Sequence, residues 1–239
     1  MVIIEKKMKK QIYLSLLVIT LFCGVSYSQS RSSVQFINGK TPVGFEAEIN
    51  NFLKQDSAFF PPYGAYLFTG SSTIRKWENL ATDFKEINII QRGFGGSNIK
   101  ALDYYIDYIV LPYKPHAIVV YEGDNDLAEG MSPGEFANLC DTFIKRVHKE
   151  LPKAMIYFLS VKPSFARKEQ IAIQDEANRR LKELVKERRK TAFIDIRPLM
   201  YDKERKLRKD LFESDSLHVN SSCYRVWAGY MKEKMGIGK

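Results

Sequence analysis

Between residues 65 and 235, short apolar runs alternate with segments of helical length, and this alternation constrains the fold more than any other feature of the chain. The runs fall at 65–68, 87–90, 117–121, 155–159 and 192–196. They lack the apolar–polar alternation of strands that face water on one side, which predicts strands buried on both faces. Helical segments follow over about 98–111, 133–150, 169–189 and 221–235, and another helix starts at residue 72. This order predicts an α/β fold, a three-layer sandwich with a central parallel sheet of about five strands flanked by helices. With 239 residues the chain is long enough to bury such a core as one domain. Ahead of the first strand, Phe45, Ile49 and Phe52 share one face of an amphipathic helix over 43–55, and Pro61-Pro62 closes this prelude.

The first 28 residues read differently. Lys6, Lys7, Lys9 and Lys10 form a positive stretch, and the segment from Ile12 to Val25 is almost wholly apolar but short for a bilayer span. Ser26 and Ser28 then supply small residues ahead of a cleavage point before Gln29. This pattern predicts a secretory signal peptide, with an uncleaved membrane anchor as the other reading. Phe22 before Cys23 argues against a lipoprotein. The expected organisation is therefore a signal peptide at 1–28, a prelude with one helix at 29–62 and the main domain at 63–239. The expected location is outside the cytoplasm, periplasmic or extracellular, with no stable membrane insertion after cleavage.

Charge narrows the range of partners. The whole chain carries +9, and residues 1–28 hold four lysines and one glutamate, which leaves about +6 on the rest. Its basic residues are interleaved with acids, as in Lys186-Glu187-Arg188, which suits a solvated helix face and not a nucleic-acid track. Cys140 and Cys223 are the cysteines left after cleavage. An oxidising compartment would permit a bond between them, but two small buried side chains is the plainer reading. No Cys or His pair has zinc-ligand spacing, so no metal or other cofactor is expected.

In open parallel sheets, ligands bind beyond the carboxyl ends of the strands. Gly70-Ser71-Ser72 follows the first strand, Gly93-Phe94-Gly95-Gly96-Ser97 the second, and Gly123-Asp124-Asn125-Asp126 the third. Asp215-Ser216-Leu217-His218 lies beyond the fifth. A serine hydroxyl becomes a useful nucleophile only beside a base, and the base needs an orienting partner. Of the three histidines, His116 opens the third strand at its amino end, and His148 lies on a charged helix. His218 alone has an acid, Asp215, three residues before it in a loop. A serine at a helix start, a glycine-rich turn and an asparagine amide are also the donors an oxyanion needs. Trp77, Phe94 and Tyr121 read as core, and Arg75 as an exposed ion pair. Gly93 to Ser97 lacks the pattern of a nucleotide loop, and Asp124-Asn125-Asp126 lacks the rest of a calcium loop.

These turns resemble the sequence blocks of the SGNH hydrolases, the GDSL family of esterases and lipases. Phe68-Thr69-Gly70-Ser71-Ser72 is similar to the block that carries the nucleophile, Gly95-Gly96-Ser97 to the second, Gly123-Asp124-Asn125-Asp126 to Gly-x-Asn-Asp, and Asp215-Ser216-Leu217-His218 to Asp-x-x-His. The resemblance spans about 63–235. It implies a catalytic triad of Ser72, His218 and Asp215, and an oxyanion hole of the Ser72 and Gly96 backbone N–H groups and the Asn125 amide. The first block departs from the family, which usually has Asp where this chain has Ser71, so two serines stand side by side. Alignment on Gly70 makes Ser72 the nucleophile. The implied substrates are small acyl or acetyl esters, with an ester on an extracellular carbohydrate as the first expectation. A lysophospholipase or lipase, or a silent glycan- or acyl-binding protein of the same fold, are the alternatives.

Overall fold

The computed structural model describes residues 37–238, so the expected signal peptide lies outside the described residues. Five strands form the sheet: β1 (Tyr66–Gly70), β2 (Ile89–Gly93), β3 (Ala117–Tyr121), β4 (Met155–Leu159) and β5 (Thr191–Ile194). They pair in parallel in the order β2-β1-β3-β4-β5. Gly70 stands opposite Gly93 on one side and Tyr121 on the other. The chain leaves β1 for β2 on one side and then returns to place β3 on the other. The carboxyl ends of β1 and β3 therefore flank a switch point, where open sheets form their binding crevice.

Helices cover both faces, as the unbroken apolar strands require. On one face lie α1 (Glu46–Ala58), α4 (Ile99–Tyr104), α5 (Ile106–Ile109), α7 (Pro133–Glu150) and α8 (Ile171–Lys186). They pack Leu53, Leu102, Phe143 and Leu181 against Ile118 and Val120 of β3. On the other face α2 (Ser72–Arg75), α3 (Leu80–Asp83) and α9 (Ser221–Met235) pack Ile74, Leu80 and Trp227 against Val119 and Tyr121. Successive residues of β3 thus feed opposite cores, and all are buried. Each such Ile, Val or Phe contributes about 1.5–3 kcal/mol through the apolar area it buries. A last short helix, α6 (Asp124–Ala128), follows β3 directly.

The strands at 117–121 and 155–159 and the helices at 133–150 and 221–235 lie where the sequence predicts them. Other elements differ. β2 starts two residues later than expected, because the Ile87 N–H donates to the Phe84 carbonyl in a turn after α3. The helix expected over 98–111 is two short helices and a 3-10 turn. The break falls at fully buried Tyr105, whose hydroxyl accepts from the Phe45 N–H at 3.2 Å and meets Thr41 Oγ1 at 2.6 Å. The strand expected to reach 196 ends at Ile194, and the Ile196 N–H turns aside to Ser160 Oγ at 3.0 Å. The prelude helix runs over Glu46–Ala58, with Ile49 and Leu53 in the same core as the sheet. Asp56 bolts it down, accepting from Arg92 of β2 and, at 2.5 Å, from the Tyr113 hydroxyl.

Candidate active site

β1 ends at Gly70 with φ +124°, and a side-chain carbon there would lie 2.1 Å from the Tyr121 carbonyl oxygen. Only glycine lets the chain turn this close to β3. The Ser71 N–H then donates to Tyr121 O at 3.1 Å, and Phe94 N–H donates to Gly70 O at 2.9 Å. The turns after β1, β2 and β3 are thereby stitched together. Ser71 is buried, and its carbonyl accepts from Ile74 and Arg75 N–H groups, which starts α2 with Ser72 as its first residue. Four residues are too few for an independent helix. Side chains hold this one: Gln91 Nε2 donates to the Ile74 carbonyl at 2.7 Å, and the Tyr224 hydroxyl donates to the Thr73 carbonyl at 2.8 Å.

Ser72 Oγ lies 3.0 Å from His218 Nε2, and His218 Nδ1 lies 2.6 Å from Asp215 Oδ2. The ring therefore meets Ser72, whereas Ser71 is packed away beneath it. The other Asp215 oxygen accepts from the Leu217 and His218 backbone N–H groups, both at 2.9 Å. That closes a tight turn in which Ser216 adopts a left-handed conformation, φ +59°. Partial burial pushes the Asp215 pKa up. The bonds from the His218 ring and the two backbone N–H groups outweigh it and hold the carboxyl well below the ordinary carboxylate range. Asp215 therefore stays ionised and can accept a hydrogen bond from Nδ1–H, which leaves the Nε2 lone pair facing the serine.

The backbone N–H groups of Ser72 and Gly96 have no hydrogen-bond partner among the described residues. Gly96 is exposed and has φ +80°. Asn125 at the start of α6 donates from Nδ2 to the Ser97 carbonyl at 2.9 Å, which brings the third turn against the second. All five residues singled out in the sequence thus converge on one edge of the sheet.

Beneath Asn125 lies a set of charges. Asp124 accepts from Lys162 Nζ at 3.2 Å and from Arg167 Nη1 at 2.5 Å. Arg167 Nη2 also donates to Asn125 Oδ1 at 2.9 Å. Burial alone would raise the Asp124 carboxyl, but the two cations hold it below its ordinary value. Asp126 accepts from the Gly123 and Ile99 N–H groups, each at 2.8 Å, and burial raises it to about 6. Glu122 accepts from Ser97 Oγ at 2.6 Å. Burial, and then the neighbouring Asp126, push it well above the ordinary range. Asp124 and Asp126 are thus occupied by protein donors, Glu122 Oε2 is buried without a partner, and among the described residues no group of His, Cys, Asp and Glu is placed to hold a metal ion.

Arg167 and Lys162 follow β4, the one strand end whose turn carries no recognisable block. Their signal was position alone. Glu48 of α1 was missed as well. Its carboxylate accepts from the Gly95 N–H at 3.1 Å and pairs with Arg75 at 3.0 Å, so the prelude grips the glycine turn. Trp77, Phe94 and Tyr121 are fully buried core residues. His148 is half-buried and meets the Ala154 carbonyl at 3.2 Å, so it is less exposed than its charged helix suggested. Cys140 and Cys223 are free, buried and packed in the cores on opposite faces of the sheet.

A family model described as the GDSL-like Lipase/Acylhydrolase family matches residues 63–226. The chain belongs to this family. It is accordingly a carboxylic ester hydrolase, and the match takes in Ser72, Gly96, Asn125, Asp215 and His218. No curated protein matches in sequence. Solved structures share the GDSL-like fold. A protein of Streptococcus pneumonia, assigned as a platelet activating factor, is 20% identical with a TM-score of 0.70, over 80% of this chain and 92% of its own. A GDSL-like lipase of Bacteroides thetaiotaomicron is 19% identical with a TM-score of 0.66, over 80% and 98%. A catalytic mutant of an acetylxylan esterase of Geobacillus stearothermophilus is 14% identical with a TM-score of 0.59, over 74% and 96%.

Proposed function

We propose that this ester hydrolase works through Ser72, His218 and Asp215. The observation that carries the reading is the unbroken chain from Ser72 Oγ to His218 Nε2 at 3.0 Å and from His218 Nδ1 to Asp215 at 2.6 Å. Ser72 Oγ attacks the ester carbonyl as His218 takes its proton, and the carbonyl electrons pass to an oxyanion. The N–H groups of Ser72 and Gly96 and the Asn125 amide receive that oxyanion. His218 then returns the proton to the leaving alcohol. A water molecule, deprotonated by His218 in turn, attacks the acyl–serine ester; the acyl C–Oγ bond breaks, His218 returns the proton to Ser72 Oγ, and the carboxylic acid leaves. Asp215 fixes the imidazole tautomer and balances its positive charge.

The substrate we infer is a small acyl ester, in the first place an acetyl group on a carbohydrate outside the cytoplasm. Three observations support it. Gly96 is exposed and Ser72 and His218 are half-buried, so a bulky polar alcohol has access. The acetylxylan esterase shares the fold. The basic and apolar segment at 6–25 has the pattern of an export signal, and no helix of the described residues is long and apolar enough to cross a membrane. A longer acyl chain has one observation in its favour. Phe165, 36% exposed, packs on Phe212 beside the loop that carries Asp215.

Hydrolysis of p-nitrophenyl acetate, butyrate and octanoate by the wild type, S72A and S71A tests the reading. S72A should lose roughly 10⁵-fold or more in kcat, while S71A keeps most of it. Loss confined to S71A would move the nucleophile by one residue. A rate that climbs with chain length would favour a lipase-type substrate over an acetyl ester.

A further inference from the structure

An amide can serve as an oxyanion donor only if its nitrogen, and not its oxygen, faces the developing charge. Asn125 has two neighbours that settle which end points where. Arg167 can only donate, and its Nη2 lies 2.9 Å from Oδ1. The Ser97 carbonyl can only accept, and it lies 2.9 Å from Nδ2. One amide hydrogen is spent on Ser97, and the other is left for the substrate.

Arg167 is itself held with little freedom. Its Nη1 donates to both the carbonyl and the carboxylate of Asp124, at 2.7 and 2.5 Å. Asp124 is 5% exposed, and its other oxygen accepts from Lys162, which is 1% exposed. The guanidinium fork therefore spans two adjacent residues, one nitrogen to each. A charge-assisted bond to Oδ1 also draws electron density from the amide and makes its N–H a stronger donor.

We propose that Arg167 is a positioning residue for ester hydrolysis, which locks and polarises the Asn125 amide through its bond to Oδ1. This rests on the reading of Asn125 as an oxyanion donor. Lysine cannot replace it, because one ammonium keeps the charge beside Asp124 but does not span to Asn125.

The test is steady-state hydrolysis of p-nitrophenyl acetate by the wild type, R167K, R167A, N125A and R167A/N125A, each checked for folding by thermal melting. R167K and R167A should lower kcat roughly 10- to 100-fold, with KM within about threefold of the wild type. Once Asn125 is gone, adding R167A should change kcat by less than about twofold, because residues that act through one another are not additive. If R167A does not fold, R167K in the two backgrounds makes the same comparison. Multiplying losses, an effect on KM alone, or wild-type kcat in R167K would overturn the proposal. A large loss in N125A beside active R167 variants overturns this inference alone. Wild-type kcat in N125A overturns the oxyanion reading and this one with it.

Discussion

Asp215 and His218 are joined to each other by bonds that span three residues, whereas Asn125 is held by partners 28 and 42 residues away. The first pair sits near water, with the Asp215 side chain 44% exposed. The second stands on a floor where Glu122, Asp124, Asp126 and Lys162 are all 5% exposed or less. An exposed ion pair adds little to stability, and a buried one is costly to break. The side of the site that holds the proposed base is therefore separable from the fold, and the side that holds the proposed oxyanion donor is not. Substitutions should reveal this as rate effects without melting on one side, and as both together on the other.

The sharpest division should come from D215N. The asparagine oxygen can still accept from Leu217 and His218 and keep the turn, but the negative charge opposite Nδ1 is lost. The expected result is a loss of about 10⁴-fold in kcat with an unchanged melting temperature. A large drop in melting temperature would break the comparison. Next in size is K162M, which removes one partner of buried Asp124. It should cost about 3 kcal/mol of stability in denaturant unfolding, even though Lys162 touches none of the proposed reacting groups. Wild-type stability would show that Arg167 alone satisfies Asp124.

E122Q should give the smallest effect and carries a sign. Glu122 binds its proton more tightly in the fold than in the open chain, because burial disfavours its charged form. Stability from this group is fully present below about pH 4.3 and is lost as pH rises toward the folded-state value. A glutamine side chain does not titrate, so E122Q should gain on the wild type by roughly 2–4 °C in melting temperature between pH 5 and pH 9. A gap that stays flat as pH rises would mean that the fold leaves Glu122 as acidic as the open chain does.

The same contrast explains what could be read from the sequence. Asp215 and His218 were legible because their bond is local and three residues of spacing suffice to make it. The turns that hold Ser72, Gly96 and Asn125 were legible because each follows its own apolar strand and a parallel sheet brings such turns to one edge, and the resemblance to the family's blocks picked those residues within the turns. Arg167 and Lys162 were not. Their meaning depends on β4 lying next to β3, and strand order is set by long-range packing that no local pattern encodes. Glu48 was hidden for a similar reason, since its partner Gly95 lies 47 residues away. The helix at 98–111 was overread because its apolar periodicity runs on past Tyr105, where tertiary bonds to the prelude interrupt it.

The bonds from Ser71 N–H to Tyr121 and from Phe94 N–H to Gly70 extend the ladder of the sheet past its last strand residues. One residue beyond Ser71, and two beyond Phe94, the N–H groups of Ser72 and Gly96 are unpaired among the described residues. Amides in a ladder exchange with solvent deuterium only when the structure opens, and unpaired ones exchange at once. The border between slow and fast exchange should therefore fall between Ser71 and Ser72, inside a single turn. The protected ladder should thus stop at the site itself, with no loosened region between the sheet and the proposed oxyanion donors.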